Sequence, residues 1–192
     1  MPKLPVREKN IISWNNISLI DYIKLTNTPN KFNIIPYLIP LNCQGEYEYG
    51  KQYYKNDYIM YYLKFYNLMM LDYDNVEFSV IENKLKSFID NGYYFSIYKT
   101  YNGYHVFILS HILPYNDINN FILMKLLGCD HYYCLFSHKY GYHIRLNKKK
   151  DRDEEYVAKY YKSLGNTKNI LPELYNLLKI HDVYLDGQAK LV

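Results

Sequence analysis

Two runs rich in strand-forming residues, 94–100 and 104–109, flank Asn102-Gly103, and this constrains the fold more than any other feature of the chain. Asn-Gly between such runs is the strongest short hairpin signal, because a tight turn with the right twist needs positive φ at both central positions. A two-residue turn pairs Thr100 with His105 and Lys99 with Val106. Phe95, Ile97, Val106 and Ile108 then share one apolar face, suited to carrying helices, while Thr100 and His105 occupy the other.

The residues upstream extend this unit. Between 76 and 91, Phe78, Ile81, Leu85, Phe88 and Ile89 follow helical spacing, and Gly92 stands where a helix-terminating glycine belongs. Before them, the short apolar run 66–71 reads as a buried strand ending in Asp72-Tyr73-Asp74. Side chains alternate along a strand, so Asp72 and Asp74 emerge on the same face. Neighbouring carboxylates repel, and a hard divalent cation such as Mg²⁺ or Mn²⁺ is the usual remedy.

Downstream, Asn116 or Asp117 can cap a helix whose apolar side holds Ile118, Phe121, Ile122, Leu126 and Leu127, closed by Gly128. Strand-like residues follow at 132–136 and, after a turn, at 142–146. The order from 66 to 136 is βαββαβ, a ferredoxin-like or RNA-recognition-motif-like core in an α+β protein. The usual strand order of that pattern, 4-1-3-2, brings Asp72, Asp74, His105 and Asp130 to one corner of the sheet.

Around this core, spanning 63–150, residues 1–62 form an amino-terminal lobe and 151–192 a helical tail. In the lobe a short helix is expected over 18–25, capped by Ser18, then an extended segment over 32–40 and a polar loop over 43–57. In the tail, helices are expected over 154–164 and 171–180. Pro172 fits the first turn of the second, and Leu171, Leu174, Leu177 and Leu178 face a core. The net charge of +4 permits a polyanionic partner without requiring one. Three cysteines are too few and too odd for a disulfide framework and fit a reducing compartment. With no apolar stretch of membrane-spanning length and no signal-peptide core, an intracellular protein without a membrane partner is expected. The 26 tyrosines, with abundant Asn, Lys and Ile, read first as the codon bias of an AT-rich genome.

The short motifs in this order resemble those of the archaeo-eukaryotic primase superfamily, the small-subunit primases and primase-polymerases. Leu71-Asp72-Tyr73-Asp74 is similar to the first motif, Gly103-Tyr104-His105 to the second, and Cys129-Asp130 to the third; Ile144-Arg145-Leu146 with Lys148 looks like the basic residues downstream. The resemblance covers roughly residues 65–150. It implies a nucleotidyltransferase that uses Mg²⁺ or Mn²⁺ held by Asp72, Asp74 and Asp130. It also implies nucleotide binding by His105, Arg145 and Lys148, a single-stranded DNA or RNA template, nucleoside triphosphates, and a helicase or second primase subunit as partner. A large DNA virus would suit the composition, and the protein would then work in the host cytoplasm or nucleus.

Two other readings stand beside it. A non-catalytic RNA-recognition-motif-like module would stack bases on Phe107 and Tyr98, but it has no use for an acidic pair beside a phosphate backbone. A catalytically inactive primase-like protein would serve as a subunit or virion component. The set Cys129, His131, Cys134 and His138 matches no compact zinc knuckle, so a structural role is expected for it. The run 148–155 reads as a solvated turn.

Overall fold

The structure, a computed structural model, describes residues 7–10, 47–54, 58–149, 152 and 156–189. The expected helix over 18–25 and extended segment over 32–40 lie outside them. Contacts divide the chain into two compact units, one made of residues 1–64, 144–157 and 176–192, the other of 65–143 and 158–175. No helix among the described residues is long and apolar enough to cross a membrane.

The first unit is organised by an antiparallel pair, β1 (Arg7–Asn10) on β2 (Tyr47–Tyr54). Their sheet runs β1-β2-β3-β7, with β3 at Tyr58–Phe65 and β7 at Tyr142–Arg145. Most of the loop expected over 43–57 is thus strand: Tyr47, Tyr49 and Gln52 are buried, and tyrosine favours a half-buried pleated surface. Tyr49 stacks on Tyr61 at 6.3 Å and on Tyr184 at 5.0 Å. Asn147 fixes the chain after β7, accepting from the Tyr61 amide at 2.9 Å and donating to the Ile59 carbonyl at 2.7 Å.

The second unit holds the sheet β4-β6-β5-β8, with β4 at Met70–Asp74, β5 at Phe95–Thr100, β6 at Gly103–Ile108 and β8 at Ala158–Leu164. The expected helix and hairpin are present, and the expected strand is present from Met70 only, because residues 66–68 bend after β3. Helix α1 (Phe78–Asp90) buries Ile81 and Leu85 and ends at Gly92, whose φ is +88°. Leu71, Phe95, Ile97, Val106 and Ile108 are fully buried, as expected of the apolar face. β4 and β5 each run antiparallel to β6, so the 1-3-2 part of the strand order holds.

Four expectations are corrected. The hairpin register differs by two residues on one strand, and the turn by one: Lys99 pairs with Tyr104 and Tyr98 with His105, leaving Tyr101 and Asn102 as the turn. Gly103 is needed elsewhere, because a Cβ on it would fall 1.7 Å from the Tyr73 carbonyl oxygen on β4. The partners of His105 change from Thr100 to Tyr98, two residues apart, so every side chain keeps its face. Secondly, residues 132–136 are not strand four but part of helix α3 (His131–Tyr140). Asp130 caps that helix by accepting from the Tyr133 amide at 2.8 Å, and Cys134 and Ser137 face inward at helical spacing. The βαββαβ arrangement is therefore incomplete, and the fold is α+β with antiparallel sheets.

Thirdly, 158–164 is strand rather than helix. Its residues pair with β5, with a bulge opposite Ile97 and Tyr98. Finally, α2 (Ile118–Leu126) turns much of its expected apolar side outward, although Leu127 at its end is buried and Phe121 half-buried. Ile118, Ile122 and Leu126 are 56%, 49% and 67% exposed, while Asn120 and Met124 are buried. Asn120 is held there by donating to the Pro114 carbonyl at 2.9 Å. Helix α4 (Pro172–Ala189) starts at the expected proline and buries Leu174, Leu177 and Leu178.

Asp117 caps α2 as expected, accepting from the Asn119 amide at 2.8 Å. Asp117→Ala is expected to lower stability by about 1 kcal/mol, read as a shift in the urea midpoint with unchanged slope. A midpoint within error of wild type would mean that water caps the helix equally well.

Candidate active site

Asp72 sits on β4 between Leu71 and Tyr73, both of which are buried on the helix-bearing face. Its own side chain therefore emerges on the other face, followed at period two by the exposed Asp74. Across the ladder, Asp72 stands opposite His105 and Asp74 opposite Gly103. The two motifs, acid-x-acid and Gly-x-His, are thus the same pair of positions on two adjacent strands. His105 Nε2 lies 3.5 Å from Asp72 Oδ1, with the two side chains 15% and 23% exposed. After Asp74 the chain turns away through Asn75, whose φ of 56° is left-handed and whose amide donates to the Asn102 carbonyl at 2.8 Å.

The place beside β4 that strand four was expected to fill is taken by Cys129-Asp130. The Asp130 amide donates to the Asp72 carbonyl at 2.8 Å, and the Asp72 amide donates to Cys129 Sγ at 3.3 Å. The main-chain amide and carbonyl of Asp72 are both held by the residue pair expected to form the third motif. Asp130 is therefore beside Asp72 through its main chain, while its carboxylate caps α3. Among the described residues no three His, Cys, Asp or Glu side chains converge as a ready-made metal cage.

The wall behind the acids is built of buried hydroxyls and thiols. Burial raises the Tyr73 hydroxyl well above its usual range, and that hydroxyl donates to the Leu127 carbonyl at 2.7 Å. Burial, then the hydrogen bond to Cys134, pushes the Cys129 thiol up, and burial keeps Tyr133 protonated. The hydrogen bond from Cys129 in turn lowers the Cys134 thiol. The carboxyl groups of Asp72, Asp74 and Asp130 and the imidazole of His105 are the polar groups at this corner.

Cys129 and Cys134 are buried free thiols, Cys134 pointing inward as expected. Cys134 is buried from a helix rather than a strand. His138 Nδ1 lies 3.2 Å from the Tyr115 carbonyl oxygen, and His131 contacts Lys125. Phe107 and Tyr98 share the face of His105, as expected, but both are buried rather than open to a stacking base. Arg145 ends β7 and Lys148 follows it, both within the other unit. No signal in the sequence marks the Cys129 sulfur as acceptor for the Asp72 amide, because a non-local contact of this kind leaves no periodicity.

The chain matches no protein-family model, no curated protein and no solved structure.

Proposed function

We propose that this chain is a metal-dependent nucleotidyltransferase of the primase-polymerase kind, adding nucleotides from nucleoside triphosphates on a single-stranded DNA or RNA template. The observation that carries the reading is the convergence on Asp72. His105 faces it across the ladder at 3.5 Å, and Asp130, far away in sequence, is bonded to its carbonyl. The donors at the corner are hard carboxylate oxygens, which fit Mg²⁺ or Mn²⁺. Mg²⁺ in particular commonly takes one or two protein carboxylates and fills its other positions with water and substrate phosphates. A three-residue cage is therefore not required. Asp72 and Asp74 would hold the ion, and the carboxylate oxygen of Asp130 not engaged by Tyr133 is the third candidate donor. When bound, such an ion activates an attacking hydroxyl and neutralises charge on the leaving group. His105, oriented by Asp72, would donate to triphosphate oxygens. A helicase or second primase subunit would be the partner.

One observation favours a second reading. The commitment of Asp130 to the cap of α3 suits a chain that keeps the ancestral corner but not the reaction, serving as a subunit or virion component.

Calorimetric titration with Mn²⁺ and a nucleoside triphosphate together tests the site. Binding is expected in the wild type, strongly weakened in both Asp72→Asn and Asp74→Asn, and weakened less in Asp130→Asn. Equal binding by the wild type and the Asp72→Asn/Asp74→Asn double variant would leave the acidic pair a surface accident.

A further inference from the structure

Lys99 and Lys159 stand directly opposite each other on β5 and β8, and both are exposed. Like charges in that arrangement cost stability. A lysine on an outer strand such as β8 has an ordinary reason, since charge there discourages pairing with another chain. β5 lies between β6 and β8, so Lys99 has no such duty. Neither lysine forms an ion pair among the described residues.

The row continues inward. Lys99 is opposite Tyr104 on β6, so two cations and a ring follow one another across three strands on the helix-bearing face. Tyr104 belongs to a triad of rings, 5.4 Å from Phe78 and 5.7 Å from Tyr161, with Phe78 and Tyr161 5.1 Å apart. Tyr161 is the extra residue of the β8 bulge, and it is 45% exposed. Lys162 lies 4.8 Å from the centre of Phe78 and 3.5 Å from Glu82, so its charge is already answered. Cations unanswered by acids, beside an exposed ring backed by two more, are the two elements that a flexible polyanion with accessible π-faces requires. A duplex hides its base faces and an acidic peptide lacks them.

The geometry points to a binding surface for single-stranded nucleic acid on this face: Lys99 and Lys159 take phosphates, and Tyr161, supported by Tyr104 and Phe78, stacks a base. It lies on the opposite face of the sheet from Asp72 and His105. It would supply a strand to the nucleotidyltransferase reading without depending on it.

The test is fluorescence anisotropy with a labelled oligothymidylate of about 12 nucleotides, in EDTA, across about 50 to 200 mM salt. Wild type is expected to bind with a marked salt slope. Lys99→Ala/Lys159→Ala is expected to reduce that slope by about 1.4, at roughly 0.7 for each phosphate that is no longer neutralised. Tyr161→Ala is expected to weaken binding roughly 5- to 150-fold. The lysine variant should melt no lower than wild type, because a like-charge pair has been removed. The proposal is overturned if wild type does not bind, or if the lysine variant keeps the wild-type slope. Competition by polyglutamate as effective as that by the oligonucleotide would also overturn it and assign the surface to acidic protein. With no metal present, this outcome is separate from that of the Mn²⁺ and triphosphate titration.

Discussion

Gly103→Ala is expected to destabilise the protein by on the order of 4 kcal/mol, a large part of the roughly 5–15 kcal/mol typical of a folded domain. The added Cβ would lie 1.7 Å from the Tyr73 carbonyl oxygen and 2.8 Å from its carbon, both main-chain atoms of the neighbouring strand. No rotamer relieves a clash with backbone. β4 and β6 would have to part where Asp74 faces Gly103, straining the adjoining bond from the Asn75 amide to the Asn102 carbonyl. Gly92→Ala is the control: its φ of +88° costs an L-residue roughly 1–2 kcal/mol, while the nearest atom to the new Cβ is 3.8 Å away. Chemical denaturation of both variants should give a much lower midpoint for Gly103→Ala than for Gly92→Ala. Equal midpoints would mean that β4 and β6 are not paired in the register described.

Asp72→Asn carries the largest expected effect on function. The substitution keeps size and shape, and its neighbours Leu71 and Tyr73 hold the strand from the buried face, so folding should change by less than about 1 kcal/mol. What is lost is a charged oxygen at the corner where Asp74, His105 and Asp130 gather. If the chain transfers nucleotides, metal-dependent extension of a primed single strand should fall about a thousandfold, equivalent to roughly 4 kcal/mol of transition-state stabilisation. Single-strand binding without metal should hold or rise, because a negative charge has been removed from the neighbourhood of phosphates. A wild type that binds metal and triphosphate but extends nothing, alone or with a partner subunit, would favour the catalytically retired reading. Extension undiminished in Asp72→Asn would remove this residue from the mechanism.

The face of His105 was legible before the fold because strand side chains repeat every two residues. Its partner on β5 moved from Thr100 to Tyr98, an even step, so His105 still faces the Asp72 side, directly opposite it. The helix at 78–90 was legible for a related reason: Ile81 and Leu85 follow its period, and Gly92 accepts the left-handed φ that ends it. The pairing of Asp72 with His105 thus follows from local rules once the strands are neighbours.

What the sequence alone determined is this local grammar: where β4 ends, where α1 lies, that a hairpin follows it, which of the hairpin's residues share a face, and where α2 and α4 begin. The tertiary structure decided the rest. Residues 131–140 carry tyrosine, cysteine, leucine and phenylalanine that suit a strand as well as a helix; the cap from Asp130 and the burial of Cys134 and Ser137 tip them to helix. Residues 158–164 become a strand because β5 offers them an edge. Gly103 reads as a turn glycine, yet it serves the approach of Tyr73, and Cys129 becomes an acceptor because the chain returns to β4. Short apolar and aromatic segments are degenerate between helix and strand, and contacts between residues distant in the chain leave no period, so only the assembled fold chooses among them.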